Sequence, residues 1–445
     1  MSPKQPTEQN QDQADDGYWF DVDIDHEDIS ANALSVIRHL QNHQFDALLV
    51  GGGVRDLLLG GKPKDFDVAT DATPEQVRQL FRNSRIVGRR FKIVHVLFGS
   101  EIIEVTTFRD SHEKQQGQAS HGRQASRQSS KGLLLRDNVY GDLESDAYRR
   151  DFTVNALYYD PECRQLLDFM EGLGDLEQRR LSIIGNADAR YAEDPVRLLR
   201  AVRFSIKLGF AIDKDSLKCL ASHGYLLKEI PAARLFDEVV KLLAHGRALE
   251  TLEDLAKHDL LQYLIPAANH ALKDPDSFEA RFLKCVCRNT DRRIQQGKRI
   301  TPAFLFASFL WPALLYHRDR LIRFENRHPH DAQQIASRKV IETQNSYTAI
   351  PRRLQITMEE IWALQHRLEK MDEKKSESVM AHPRFRAAYD FVLMREEAGE
   401  DLSGSGNFWT EAQKSFTPPD RPSGPQRRFD ERPSRRRRRP RRRQE

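Results

Sequence analysis

Cysteine is scarce in this chain, with 4 in 445 residues. Cys163, Cys219, Cys285 and Cys287 are too few and too irregularly spaced for a disulfide framework. Cys285-Val286-Cys287 lacks the second cysteine pair that would announce a zinc site. Long apolar runs are missing as well. No stretch approaches the ~18 residues that a membrane-spanning helix needs. The polar start from Met1 to Asp16 has no signal-peptide core, and no internal repeat is present. These absences exclude a disulfide-built secreted domain and a helical membrane protein. They leave a cytoplasmic chain with reduced thiols as the expectation. Apolar residues still make up 39% of the chain, enough for cores, and a prior of about 150 residues per domain gives two or three folded units.

What is present concentrates first between residues 45 and 110. Phe45 to Val50 reads as a short buried strand closed by glycines, and Val54 to Leu59 as a short helix stopped by Gly60-Gly61 and Pro63. Gly51, Gly52 and Gly53 between them let backbone N–H groups approach a phosphate, with the helix N-terminus adding partial positive charge. Arg55 in the first turn is a candidate to neutralise a triphosphate. An isolated triple glycine is otherwise a tight turn. About a dozen residues on, Asp65-Phe66-Asp67-Val68-Ala69 alternates as a strand does, with both aspartates on one face. Two such carboxylates repel unless a cation lies between them, and hard oxygen ligands suit Mg²⁺. A lone Asp-x-Asp is a solvated edge strand; after a glycine turn it becomes half of a metal site.

Lys92 to Phe98 and Ile102 to Phe108 flank Gly99-Ser100 as a hairpin. Glu104 lies mid-strand among apolar residues, a costly place for an unpartnered charge. It either faces the metal or pairs with Arg89 or Arg90. From Asp142 to Asn155 the pattern gives a helix and turn presenting Arg149, Arg150 and Asp151. Asp194-Pro195 reads as an N-cap followed by proline at the first helical position, with Arg197, Arg200 and Arg203 recurring along the helix.

The glycine turn, Asp65-Phe66-Asp67, Glu104 to Arg109, Arg149 to Thr153 and Glu193 to Arg197 match in order the class II nucleotidyltransferases, which the chain resembles over roughly residues 25 to 395. That family contains tRNA CCA-adding enzymes and bacterial poly(A) polymerases. Val87 to Val96, Leu134 to Asn138, Ile230 to Phe236, His382 to Asp390 and the arginine-rich end resemble the poly(A) polymerase branch. The resemblance implies two Mg²⁺ ions (Mn²⁺ as an alternative) on Asp65, Asp67 and Glu104. It implies ATP as substrate, with its triphosphate against Gly51 to Arg55, and an RNA 3′-hydroxyl attacking the α-phosphorus. Arg149 and Arg150 would contact the incoming nucleotide, Asp151 would act as a catalytic acid or a ribose contact, and Asp194 with Arg197 would read the base. A CCA-adding enzyme, or a non-catalytic RNA-binding protein on the same fold, is the rival reading. RNA-decay or RNA-chaperone proteins are the expected protein partners.

The expected fold is α+β: a head with a small mixed β-sheet, then all-helical domains, then a disordered basic tail. The corresponding boundaries are a disordered 1–24, a catalytic head 25–180, a helical neck 181–265, a helical RNA-binding body 266–400 and a tail 401–445. Ser30 is expected to cap a helix from about Ala31 to His43. Ala232, Leu235, Phe236, Val239, Leu242 and Leu243 form a helical stripe, and Thr301-Pro302 opens an apolar helix. The polar segment from Asp110 to Lys131 reads as a solvated loop, since its histidines lack ligand spacing. Net charge is +4 overall. The last 19 residues carry +8, which leaves −4 for the other 426. Arg435, Arg436, Arg437, Arg438, Arg439, Arg441, Arg442 and Arg443 are expected to grip RNA phosphates without reading bases, with nuclear targeting or solubilisation as alternatives.

Overall fold

The computed structural model describes residues 18–88, 92–110, 127–128, 134–136 and 140–416. Arg89, Arg90, most of the 110–131 loop, the start of the chain through residue 17 and the basic tail lie outside the described residues.

Strand β1 (Trp19–Asp21) begins the fold, so the chain enters the sheet before residue 25. Helix α1 (Ala31–Gln41) follows, and the Ser30 hydroxyl accepts from the Asn32 and Ala33 amides as expected of its cap. Its Ala33, Val36, Ile37 and Leu40 fall on one face at helical spacing and are buried. Strand β2 (Ala47–Val50) is buried throughout and turns through Gly51 into helix α2 (Gly52–Leu58). β3 (Asp67–Thr70), helix α3 (Pro74–Leu80), β4 (Ser84–Val87), β5 (Ile93–Phe98) and β6 (Glu101–Thr107) come next, with Gly99 in the expected hairpin. After the small pair β7 (Arg127–Gln128) and β8 (Leu134–Arg136), helix α4 (Leu143–Tyr148) leads to β9 (Leu157–Asp160) and β10 (Gln165–Asp168).

Eight of these strands form one mixed sheet in the order β1-β10-β9-β2-β3-β6-β5-β4. Within it β3 and β6 run parallel, and the other neighbours are antiparallel. The parallel register sets Asp67 opposite Glu104. Helix α5 (Gly172–Glu177) and the short pair β11 (Arg180–Leu181) and β12 (Ala211–Ile212) lead into the helical part.

There, α6 (Ala187–Glu193), α7 (Val196–Leu208), α8 (Lys214–His223) and α9 (Ala232–Leu243) follow the head along the chain. The α9 stripe is buried at Leu235, Phe236, Val239, Leu242 and Leu243, and Pro302 opens a helix that runs to Glu325 with Phe309, Leu310 and Trp311 inside. One cluster of buried residues runs from Ile24 in the head to Ala398 in the last helices. The expected α+β class, a mixed-sheet head followed by helices, is the observed one.

The tail boundary at 401 requires correction. Ser405–Ser415 forms a further helix, and Trp409 is fully buried against Leu364, Leu368 and Phe385. Its indole Nε1 donates to the Leu368 carbonyl at 2.8 Å. Truncating a buried tryptophan costs about 3–5 kcal/mol, so one such anchor orders a segment whose Gly, Ser and charged residues read as unstructured.

Candidate active site

The site is built where β2 ends and β3 begins, opposite Glu104 in the middle of β6 and beside the α4 turn. Gly51 has φ +76°, which a side chain would strain, and a Cβ there would lie 3.6 Å from Arg150 Nη1 and 4.0 Å from Asp67 Oδ2. The glycine turn, the carboxylate strand and the Arg149-Arg150 motif, separate in sequence, therefore meet at one point. Asp65 is exposed and Asp67 is half-buried. Burial, then the Glu104 and Asp65 charges, raise the Asp67 carboxyl to about 6, and Arg150 opposes the shift. Glu104 is not enclosed by its apolar neighbours, since its side chain is 46% exposed, and its described partner is His95 Nε2 at 3.3 Å.

Asp146 organises the arginine turn. The Asp142 side chain caps α4 at the Ser145 amide, 2.8 Å away, and one turn later Asp146 points inward at 1% exposure. Its Oδ1 accepts from the Arg109 amide at 3.2 Å and Arg149 Nε at 2.9 Å. Its Oδ2 accepts from Arg150 Nη2 at 2.8 Å and the Tyr158 hydroxyl at 2.7 Å. Burial alone would raise this carboxyl; the two guanidiniums and the phenol outweigh it and hold it well below the usual range. Arg150 also lies over the Tyr158 ring at 5.1 Å. Arg190 of α6 donates to the carbonyls of Arg149 and Arg150, fixing the turn from outside.

Several expected placements change. Arg55 is 2% exposed, donates to Asp56 and Asn155, and lies 5.4 Å from the Phe204 ring centroid. It braces the turn instead of lying open to a triphosphate, because a guanidinium buried at that depth needs carboxylate and carbonyl acceptors. Asp151 is not a free acid. Its Oδ2 pairs with Arg200 Nη2 at 2.5 Å, and its Oδ1 accepts from the Phe152 amide and Asn155 Nδ2. Burial opposes ionisation there, but Arg200 and these donors prevail and bring the carboxyl down to about 2. It is therefore an acceptor at neutral pH and not a proton donor. Asp194 and Arg197 take different partners: Asp194 Oδ2 pairs with Arg234 at 2.7 Å, while Arg197 Nη1 donates to Glu193 at 2.5 Å and to the Arg190 carbonyl. Arg200, Arg203 and Arg55 all face the Phe204 ring, at 4.9–5.4 Å from its centroid.

Asp146, Tyr158 and Arg190 are not candidates from the sequence, and His95 and Arg234 lie only within the segments that resemble the poly(A) polymerase branch. For Asp146 a signal existed: a carboxylate three and four residues before Arg149 and Arg150 lies on their helix face.

The raised Asp67 carboxyl has a measurable consequence. In the unfolded chain it titrates near 3.9, so the metal-free folded state holds the extra proton between about pH 4 and 6. Stability falls as pH rises through that window and stays lowered above it. Asp67→Asn removes the penalty. In EDTA near neutral pH the variant is expected to be more stable by about 1–3 kcal/mol, with the gap closing below pH ~4. Thermal unfolding across pH checks this; an unaltered or lower midpoint near neutral pH would contradict it.

A phosphate-approachable glycine turn beside Asp67 and Glu104, set opposite each other on adjacent strands and ahead of a helical body, is the architecture of a nucleotidyltransferase. Comparison with known proteins narrows the class. The poly A polymerase head domain family matches residues 47–182, the family described as "Probable RNA and SrmB- binding site of polymerase A" matches 209–272, and "Polymerase A arginine-rich C-terminus" matches 325–444. Poly(A) polymerase I of Escherichia coli is 45% identical over 418 residues, covering 93% of this chain and 89% of that one. The Haemophilus influenzae Poly(A) polymerase I is 44% identical over 396 residues, covering 88% and 86%. Among solved structures, the Bacillus stearothermophilus CCA-adding enzyme in complex with CTP superposes with a TM-score of 0.59 at 26% identity, over 86% of this chain and 82% of that one. The chain belongs to the bacterial poly(A) polymerase I family, and is a nucleotidyltransferase enzyme.

Proposed function

We propose that this chain adds AMP from ATP to RNA 3′ ends without a template, releasing pyrophosphate, and that it serves RNA processing and decay in the cytoplasm. The observation that carries the reading is the parallel register of Asp67 with Glu104, beside a glycine turn, in a chain so similar along its length to Poly(A) polymerase I.

Asp67, whose carboxyl is pushed up to about 6 by burial and then by the Glu104 charge, forms with Glu104 and Asp65 a donor set suited to hard divalent ions. Asp65, Asp67 and Glu104 would hold Mg²⁺, or Mn²⁺. Bound there, such ions supply activation of the attacking 3′-hydroxyl and stabilisation of charge on the leaving pyrophosphate. The chain's own residues do the rest. Gly51 to Gly53 let the triphosphate approach the backbone, and Arg150, seated by Asp146 and Tyr158, places a guanidinium at that turn. Arg149 lies on the same turn. Asp151, kept ionised by Arg200, accepts from a ribose hydroxyl through its carboxylate. Asp194 and Arg197 read the base once their pairs with Arg234 and Glu193 open or share a partner.

Residues 209–272, the basic tail and the helical body hold the RNA. The name of the family matched at 209–272 also supports a protein partner from RNA metabolism. Among the described residues no helix is long and apolar enough to cross a membrane.

A CCA-adding enzyme has the same core motifs but uses CTP as well as ATP. Incubating a non-tRNA oligonucleotide with each nucleotide separately distinguishes them. Long tails from ATP alone, and at most one or two additions from CTP, are expected. CTP-dependent addition confined to tRNA would replace this reading with the rival, and no extension of any RNA with ATP and Mg²⁺ would point to a binding protein.

A further inference from the structure

We propose that a soft divalent ion, of the Zn²⁺ class, binds between α6 and α8, at Asp188, Cys219 and His223. Cys219 and His223 stand four residues apart on one face of α8, and Asp188 reaches them from the first turn of α6. The three donor atoms all lie within 4.8 Å of one another. Cys219 Sγ is 3.5 Å from Asp188 Oδ1, and His223 Nε2 is 3.6 Å from the same oxygen. A tetrahedral zinc bound by thiolate, imidazole and carboxylate separates its donors by about 3.3–3.5 Å, so two of the three edges are already close to the required length. The Asp188 side chain is 76% exposed, which leaves it free to swing onto an ion.

A neighbouring hydroxyl can hold the histidine in the tautomer that metal binding needs. Ser222 Oγ donates its proton to the Lys218 carbonyl at 3.0 Å and sits 2.8 Å from His223 Nδ1. With its proton so directed, the hydroxyl can accept from Nδ1–H, which leaves Nε2, 3.6 Å from Asp188 Oδ1, as the nitrogen available to an ion. A hydrogen bond of this kind on the far ring nitrogen orients metal-ligating histidines generally. The thiol is 2% exposed, yet both Cys219 and Asp188 line an open cleft of about 910 Å³ that also includes Gly185, Asn186 and Lys218. Water in that cleft supplies the fourth ligand. Sulfur and imidazole donors favour Zn²⁺ over the Mg²⁺ held by carboxylates, so the two kinds of ion sort by chemistry.

The ion would staple α6 to α8. α6 carries Arg190, which holds the Arg149 and Arg150 carbonyls, and runs directly into Glu193 and Asp194. Occupancy therefore stiffens the support of the nucleotide turn without entering the reaction.

The full, untagged chain is loaded with Zn²⁺, passed over a desalting column and assayed for metal by mass spectrometry; a parallel sample is titrated with Co²⁺ and followed by absorption. One equivalent of tightly held Zn²⁺, a thiolate-to-cobalt charge-transfer band and a higher thermal midpoint are expected. Cys219→Ser and His223→Ala should each lose that equivalent and the band, while Asp65→Ala/Asp67→Ala and Cys163→Ser keep both. Ser222→Ala should weaken Zn²⁺ about 10-fold while leaving the ligands in place, a milder change that does not depend on altering the buried thiol. Equal metal content in the parent and Cys219→Ser, or a cobalt complex without a thiolate band, would overturn the site.

Discussion

Asp65→Ala/Asp67→Ala is expected to lower nucleotide addition by at least about 1,000-fold while leaving RNA affinity within a few-fold of the parent. Each 1.36 kcal/mol of lost transition-state stabilisation is tenfold in rate, and divalent ions clamping both reacting oxygens contribute several such steps. Asp67 sits in register with Glu104 on the adjoining strand, and Asp65 adds a third carboxylate on the solvent side. Removing both aspartates leaves Glu104 as the last of the three, and on the proposed metal-dependent reading a single carboxylate would not hold the ions. On the proposed reading RNA is held mainly through its phosphates by cationic surface, which the substitutions leave untouched; removing two anionic charges would tighten that grip slightly. Primer extension with labelled ATP and a filter-binding titration test the two halves separately. Extension within tenfold of the parent would sink the assignment of these aspartates. A parallel collapse of RNA affinity would show that the double substitution had disturbed the fold instead.

Asp146→Ala is expected to be the most destabilising change in the head outside its apolar core, by about 3–5 kcal/mol. That is the typical cost of removing one partner from a buried ion pair. At this position the loss strands two guanidiniums, a phenol and the Arg109 amide at once. Arg150 loses its seat beside Gly51, so the KM for ATP should rise more than kcat falls, provided the assay temperature is low enough for the variant to remain folded. Asp146→Asn keeps an acceptor but not the charge, and should fall between parent and alanine. Urea unfolding together with steady-state kinetics on both variants checks the order. The pH dependence has a definite direction. A carboxyl held below its ordinary range contributes stability that is complete above the unfolded value near 3.9 and is lost as pH falls through the folded one. The Asp146 contribution and that of Asp151, held near 2, should therefore be flat through neutral pH and vanish only on strong acidification. An Asp146→Ala variant as stable as the parent at neutral pH would mean that the network costs as much to desolvate as it returns.

The sheet order illustrates how far local pattern carries. β2, the Gly51 turn, α2 and the hairpin β5–β6 follow from short apolar runs and glycine placement, and each lies within a few residues of its expected bounds. Trp409 shows the opposite case. Its neighbours are glycine, serine and charged residues, and only the distant Leu368 carbonyl and the apolar faces of Leu364 and Phe385 make that segment helical and anchored.

The charged residues divide in the same way. Periodicity was enough to find the strand that opens at Asp67, though Asp65 falls just before it, and the order of motifs was enough to bring in Glu104. Neither could say that Arg55 turns inward to Asn155, one hundred positions along the chain, that Arg200 neutralises Asp151, or that Asp194 meets Arg234. An ion pair between residues far apart in sequence depends on how helices pack, and packing depends on the whole set of buried side chains. By itself the sequence determined the motif-bearing elements around the glycine turn and the nucleotidyltransferase class, and it offered candidate residues for chemistry, because turn geometry and side-chain alternation are local properties. Tertiary structure alone decided which charges lie open and which are tied up in ion pairs, because a buried charge must find a partner wherever the fold places one.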